Sequence, residues 1–222
     1  MGIVPVKTPS IIKKLLPDFV WEFFTSEKVL FLTFDDGPTP EITQCTLDTL
    51  KQFNAKATFF CIGTNIQKHP HIFQSILKDG HRIGNHSNTH LKGWKTSVKD
   101  YVLNVNSAQE IINSEILKAE TSAQKLNASP IFRPPYGQIK PSQGKALKAM
   151  GYTVITWSIL SFDWDKDISG ETCYLNVIKN SKPGNIIVFH DSVKASKNLK
   201  HALPKVLAYF TEKGYEFKTL PL

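Results

Sequence analysis

Short apolar runs alternate with amphipathic stretches along nearly the whole chain. Runs at 29–34, 57–63, 81–86, 130–133, 153–158, 185–190 and 215–220 have the length of buried strands rather than helices. Between them the apolar positions change period. Ile42, Cys45, Thr49, Leu50 and Phe53 recur at helical spacing after Thr39-Pro40-Glu41, a helix-start signal. Ile72, Phe73, Ile76 and Leu77 precede Gly80, a helix stop. Val98, Tyr101, Val102, Val105, Ala108 and Ile112 predict a long helix opening near Ser97. Ala146, Leu147 and Met150 run to Gly151, Tyr174, Leu175 and Ile178 precede Pro183-Gly184, and Leu203, Val206, Leu207 and Phe210 end at Gly214. About seven strand–helix alternations without a linker predict an α/β fold: a parallel sheet with helices outside, as a barrel or an open sheet.

Composition narrows this only a little. The 222 residues are 41% apolar and 21% charged, an ordinary globular balance for one large domain or two small ones, and no internal boundary is visible. The net charge of +8 favours an anionic polymer or a membrane surface as partner. Scattered lysines serve solubility equally well. They form no clear patch, and no nucleic-acid motif is present, so nucleic acid is not expected as a partner. Ile11 to Phe24 leans apolar, but Lys13, Lys14, Asp18 and Glu22 interrupt it and Pro17 breaks it. It reads as neither a signal peptide nor a membrane span. A short amphipathic contact with a membrane is one reading. Packing of Leu15, Leu16, Phe19, Trp21 and Phe23 onto the domain is the other. Cys45, Cys61 and Cys173 make no C-x-x-C and no disulfide framework, which points to a reducing compartment. The expected location is the cytoplasm or the membrane periphery.

Where the polar residues fall is more informative. In folds of this class, reactive groups gather at the carboxyl ends of the strands. Asp35 and Asp36 end the first run, and His86 and His90 follow the third. Arg133 ends the fourth, Asp163 and Trp164 follow the fifth, and His190 and Asp191 end the sixth. Independent surface residues would not collect at one sheet edge. His86 and His90, four apart, would share a face on a helical turn and could grip one metal ion. A carboxylate from another strand end completes a set suited to catalytic zinc, and equally to non-haem iron. Neighbouring side chains at a strand end diverge. One of the two aspartates can therefore join the histidines, while the other takes a proton from a metal-activated water. Arg133 can clamp a carboxylate bidentately, and Pro134-Pro135 stiffen a loop able to aim a backbone N–H at an oxyanion. His190, off the metal, suits a general acid for a leaving amine, with Asp163 as its partner. Trp164 and Tyr136 offer the aromatic faces a sugar ring packs on. Ser158 and Ser161 lack a base at motif spacing, so a serine hydrolase is disfavoured.

TFDDGP, HSNTH, RPPYG, FDW and IVFHD occur in the order of the five motifs of the polysaccharide deacetylase family, carbohydrate esterase family 4, the NodB homology domain. The chain resembles this family from Leu30 to about Leu220. The resemblance implies a single-domain distorted (β/α) barrel over residues 29–222, with residues 1–28 as an N-terminal extension packing on it. It implies metal-dependent removal of N-acetyl groups from an amino sugar in a glycan, releasing acetate. By motif, Asp35 is similar to the family's general base, and Asp36, His86 and His90 to its metal ligands. Arg133 is similar to the residue orienting the base, Asp163 to the supporting acid and His190 to the general acid. Tyr136 lies where a backbone N–H forms the oxyanion hole, Ser87 would brace the metal loop, and Pro134, Tyr136 and Trp164 would line the substrate cleft. Zinc is the metal implied, with cobalt or nickel as variants. The chain departs from the pattern at Leu160, where many members carry an aspartate after the tryptophan matched by Trp157. Alternatives are a hydrolase of small cyclic amides or imides and a silent carbohydrate-binding protein; keeping both Asp35 and His190 speaks against the last.

Overall fold

Val29–Asp35 forms β1, and every one of its seven residues is buried. A computed structural model describes residues 5–127 and 129–222; the first four residues of the N-terminal extension lie outside the described residues. In chain order the elements are α1 (Ser10–Leu15), β1, α2 (Ile42–Gln52), β2 (Ala57–Cys61), α3 (Gly63–Lys68), α4 (Pro70–Lys78), β3 (Arg82–Asn85), α5 (Val98–Ile116), α6 (Thr121–Leu126), β4 (Ile131–Phe132), α7 (Pro141–Ala149), β5 (Thr153–Val154), β6 (Ile159–Leu160), α8 (Gly170–Asn180), β7 (Ile186–His190), α9 (Ser196–Glu212) and β8 (Glu216–Phe217). Single turns of 3₁₀ helix lie at Gly93–Lys95 and Pro135–Gly137. The strands run β5-β4-β3-β2-β1-β7-β6, all in parallel pairs, and β8 pairs with the start of β1 off this path. This is the distorted (β/α) barrel expected.

The run 153–158 is a correction. Only its start, Thr153–Val154, is a strand (β5); β6 begins just after the run at Ile159, and the two occupy opposite ends of the path. The chain crosses between them, and the N-terminal segment bonds to both sides: Val20 bridges Ile155, and Lys7 bridges Ile159. Thr156 N–H donates to the Val20 carbonyl at 2.8 Å and Ser158 N–H to that of Ile186 at 3.0 Å, so the linking residues find different partners.

Strand parity builds both the core and the site. On β1, Leu30, Leu32 and Phe34 pack under the helices with Phe59, Ile187, Phe189 and Leu203. Val29 and Phe31 point the other way, into the barrel, with Phe60, Ile131, Ile155 and Ile186. Each such Leu or Phe contributes about 1.5–3 kcal/mol by leaving water. A strand alternates faces with period two. Continuing the inward series therefore gives Thr33 and Asp35 on β1, His190 after Ile186 on β7, and Arg133 after Ile131 at the end of β4. On β1, β4 and β7 the inward face is therefore apolar lower down and polar at the carboxyl rim. Among the described residues, no helix is long and apolar enough to cross a membrane.

Candidate active site

Asp35 and Arg133 meet inside the barrel. Arg133 is fully buried and donates through one terminal nitrogen to Asp35 Oδ1 and to Thr33 Oγ1, both at 2.7 Å. The other terminal nitrogen donates to the Thr156 carbonyl at 2.8 Å, and the guanidinium lies 4.0 Å from the centroid of the Phe60 ring. The bidentate clamp expected of Arg133 is not formed. The fork is divided among three acceptors, two on β1 and one on the stretch after β5, so it fixes the carboxylate relative to both segments rather than gripping both of its oxygens. A buried guanidinium held this way costs less to desolvate than a lone one.

Asp36, His86 and His90 converge one residue further out. Their ligand atoms all lie within 4.8 Å of one another. Asp36 Oδ1 is 3.2 Å from His90 Nε2 and 3.6 Å from His86 Nε2, yet it is buried and accepts no hydrogen bond. An orphaned buried oxygen facing two imidazole nitrogens is the arrangement a cation would satisfy. The ring orientations agree. His86 Nδ1 lies 2.8 Å from the Arg133 carbonyl, so it carries the proton and leaves Nε2 as a lone pair; His90 Nδ1 lies 3.1 Å from the Tyr136 hydroxyl. Burial pushes His86 down to about 4, so it is neutral. Burial alone would raise Asp36, but His90, His190 and His86 outweigh it and hold the carboxyl well below its usual range. One carboxylate and two imidazoles, with both Nε2 atoms turned toward the carboxylate, fit a divalent ion.

The histidines do not sit on a helical turn, as their spacing suggested. The loop is irregular, with Ser87 at φ 66° and His90 at φ 56°. Left-handed backbone at non-glycine residues costs about 1 kcal/mol or more each and survives only where the surroundings enforce it. Here they do. Asn85 Oδ1 accepts the Ser87 N–H at 2.8 Å, buried Ser87 gives its carbonyl to Gly63 N–H at 3.0 Å, and Asn104 Oδ1 accepts the Asn88 N–H at 2.9 Å. Asp36, Tyr136 and Phe162 also have positive φ, so the strain is concentrated in the loops of this rim.

His190 stands beside Asp35 on the paired strands β1 and β7. Its Nδ1 is 2.9 Å from Asp163 Oδ1, and its backbone N–H donates to Asp163 Oδ2 at 2.7 Å. Ser161 Oγ donates to Asp163 Oδ1 at 3.0 Å. Burial opposes the imidazolium, but Asp163 prevails, helped by Asp36 and Asp35, and His190 is pushed up to about 9. Trp164 packs edge-on against His190 at 4.7 Å between centroids and stacks on Phe162. Tyr136 is 55% exposed, whereas Pro134 is buried and holds the Gly137 N–H at 3.0 Å. Leu160 is buried in β6.

The roles of several supporting residues escaped the sequence reading, including that of Asp191, noted there only as a strand-end residue. Asp191 is fully buried; its carboxylate accepts the Gly37 N–H at 3.1 Å and the Thr43 hydroxyl at 2.5 Å, and so grips the turn after Asp36. Asn198 donates to the carbonyls of Asp163, Asp165 and Ile168, fixing the loop that carries Asp163. Asn65 donates to the Asp36 carbonyl at 2.7 Å. Thr33 is different: it accepts from Arg133, and as a polar residue inside the apolar run Val29–Asp35 it was visible in the pattern.

Known proteins share this arrangement of sequence. The profile of the polysaccharide deacetylase family matches residues 24–155. A peptidoglycan-N-acetylglucosamine deacetylase of Bacillus cereus is 35% identical over 207 residues, 90% of this chain and 90% of that protein. The peptidoglycan-N-acetylmuramic acid deacetylase PdaC of Bacillus subtilis is 32% identical over 197 residues, 88% of this chain but 38% of that protein. Among solved structures, the Bc1960 peptidoglycan N-acetylglucosamine deacetylase, in complex with 4-naphthalen-1-yl-N-oxidanyl-benzamide, superposes with a TM-score of 0.84 at 33% identity, covering 96% of this chain and 95% of that one. The profile match stops before Asp163 and His190, but these likenesses, which cover 88–96% of this chain, run through them. With more than half of its length matched by the profile, this chain belongs to the polysaccharide deacetylase family.

Proposed function

We propose that this protein hydrolyses the N-acetyl group of an amino sugar in a peptidoglycan-type glycan, using a divalent metal held by Asp36, His86 and His90. The observation that carries this reading is the pairing of two separately anchored proton carriers around the cation-ready trio. Asp35 is anchored by Arg133, and His190 by Asp163, on adjacent strands. Zinc is the proposed metal, with cobalt or nickel able to replace it, because one carboxylate and two imidazoles suit all three. Bound there, the ion would supply Lewis acidity, lowering the pKa of a water toward about 7 and polarising the acetamide carbonyl.

The chain's own residues do the rest. Asp35, ion-paired and immobile, accepts the proton of the attacking water. The Tyr136 backbone N–H, in its left-handed turn, donates to the oxyanion that develops. His190, held as the imidazolium by Asp163, protonates the sugar nitrogen as the carbon–nitrogen bond breaks, and acetate leaves. Trp164 and Tyr136 wall the cleft, and Ser87 keeps the metal loop in place. The relatives' names support an N-acetylated glycan as substrate. The ligand named with Bc1960 is an N-hydroxyamide, a metal-chelating group, which supports the metal.

Acetate release tests the proposal. Metal-stripped and zinc-reloaded protein would be given N-acetylglucosamine oligomers and partly digested peptidoglycan, with Asp35→Asn as control. Zinc-dependent release lost in Asp35→Asn is the expected result. No release from any acetylated sugar by zinc-loaded protein would sink the deacetylase reading and leave hydrolysis of a small cyclic amide as the one to pursue.

A further inference from the structure

Three residues past His90 the chain turns through Gly93–Lys95. This turn is built onto the Tyr136 turn rather than left free. A Cβ on Gly93 would fall 2.0 Å from the Gln138 carbonyl oxygen, so the two backbones touch. Buried Gln143 donates to the carbonyls of Gly93 and Thr96 at 2.9 and 3.1 Å, and Lys140 Nζ donates to that of Thr96 at 2.8 Å. The resulting rim carries a cation and two exposed aromatic rings. Trp94 is 63% and Tyr136 55% exposed. The Lys92 ammonium lies 5.3 Å from the centroid of the Tyr136 ring. That ring is 4.5 Å from the ring of His90, and its hydroxyl is 3.1 Å from His90 Nδ1. A positive charge therefore stands one aromatic ring away from a metal ligand.

Among the described residues no carboxylate neutralises that charge: the lysines in ion pairs are Lys13, Lys118, Lys148, Lys205 and Lys218. The Tyr136 face holds the ammonium by a cation–π contact without cancelling it. We propose that Lys92 and Trp94 form a glycan subsite beside the metal that recognises an anionic substrate. The Trp94 ring would pack on a sugar face, and Lys92 would pair with a carboxylate borne by the neighbouring sugar. The site would thus prefer acid-bearing glycans, such as those containing muramic acid, over neutral oligomers. This deepens the deacetylase reading and rests on it only for the position of the scissile acetamide. A carboxylate on the sugar's ether-linked acid and one on an attached peptide offer the same chemistry.

Fully de-N-acetylated muramic-acid-containing oligomers are not turned over, so they can be titrated calorimetrically into zinc-loaded protein. Three ligands separate the cases: sugar carboxylates free, the same carboxylates capped as methyl amides, and peptide-bearing chains. Lys92→Gln should weaken binding of a free-carboxylate ligand about fivefold at low salt and leave the capped ligand essentially unchanged. Loss confined to the peptide-bearing chains would support the subsite and assign the anion to the peptide. Trp94→Ala should weaken all three about equally. If Lys92→Gln alters capped and free ligands alike, or neither, the anionic subsite is wrong. Acetate release by wild-type protein, measured alongside, reports on the deacetylase reading separately. Charge-dependent binding without acetate release would keep the subsite and retire that reading, and acetate release without any Lys92 effect would do the reverse.

Discussion

The Asp35 carboxylate and the Arg133 guanidinium meet at 2.7 Å, and neither side chain is more than 6% exposed. The pair is therefore both a stability element and a way of aiming the proposed base. Breaking a buried pair by removing one partner leaves an uncompensated charge, at a cost of about 3–5 kcal/mol. Arg133→Met should lose about that much in urea unfolding and release no acetate. Arg133→Lys keeps the charge but cannot reach Asp35, Thr33 and Thr156 together. It should be less destabilised and still release little acetate. Full acetate release by Arg133→Lys would show that aiming is not its role.

His190 makes a pH prediction with a definite sign. Against the opposition of burial, Asp163 raises it from 6.5 to about 9, so in metal-free protein the imidazolium persists through neutrality. A raised folded pKa contributes stability below about pH 6.5 that is lost as pH rises through about 9. In Asp163→Asn, burial dominates and the ring is neutral at pH 7. The stability gap between wild type and variant should be widest near pH 6 and shrink by pH 10. The alkaline limb of acetate release should move to lower pH. Nitrogen-15 spectra of the histidine rings would show an unshifted His190 if the coupling is absent.

Asp191 should matter to the metal without touching it. Its carboxylate holds the Gly37 N–H and the Thr43 hydroxyl, and a Cβ at Gly37 would fall 2.1 Å from Asp191 Oδ2. Partners of this kind orient ligands and are worth about 10–100-fold in metal affinity. Asp191→Ala and Gly37→Ala should each weaken zinc binding within that range by calorimetry. Unchanged zinc affinity in both would mean that Asp36 is positioned by other contacts.

Tyr136→Phe isolates a single hydroxyl. Removing it leaves His90 Nδ1 without its 3.1 Å partner while the ring remains. Zinc affinity should fall about tenfold, with thermal stability nearly unchanged because the ring is exposed.

The elements most legible in the sequence were those with long, one-sided patterns. α5 begins where Ser97 indicated: its hydroxyl caps the helix by accepting the Asp100 N–H at 3.1 Å. The strand ends carrying Asp35, Arg133 and His190 were legible because parallel strands buried on both faces read as apolar runs, and a charge at their close stands out. The break in 153–158 was not legible. Ile155 and Trp157 keep the run apolar, while the bonds of Thr156 to Val20 and of Ser158 to Ile186 carry the chain from one end of the sheet to the other. The His86–His90 loop was misread for a similar reason. Spacing suggests a helix, while the left-handed turns at Ser87 and His90 are enforced by Asn85 and Asn104, one of them across space on α5. Asp191 and Asn198 act through backbone groups of distant loops, and a linear pattern carries no trace of that.

The most direct test of the central claim is a titration of metal-stripped protein with zinc, following bound zinc and acetate release from peptidoglycan fragments in the same sample. The account predicts acetate release that rises linearly with bound zinc and stops at one ion per chain, with Asp36→Asn binding no zinc and releasing none. Release by fully stripped protein, or one bound zinc per chain with no release, would contradict it.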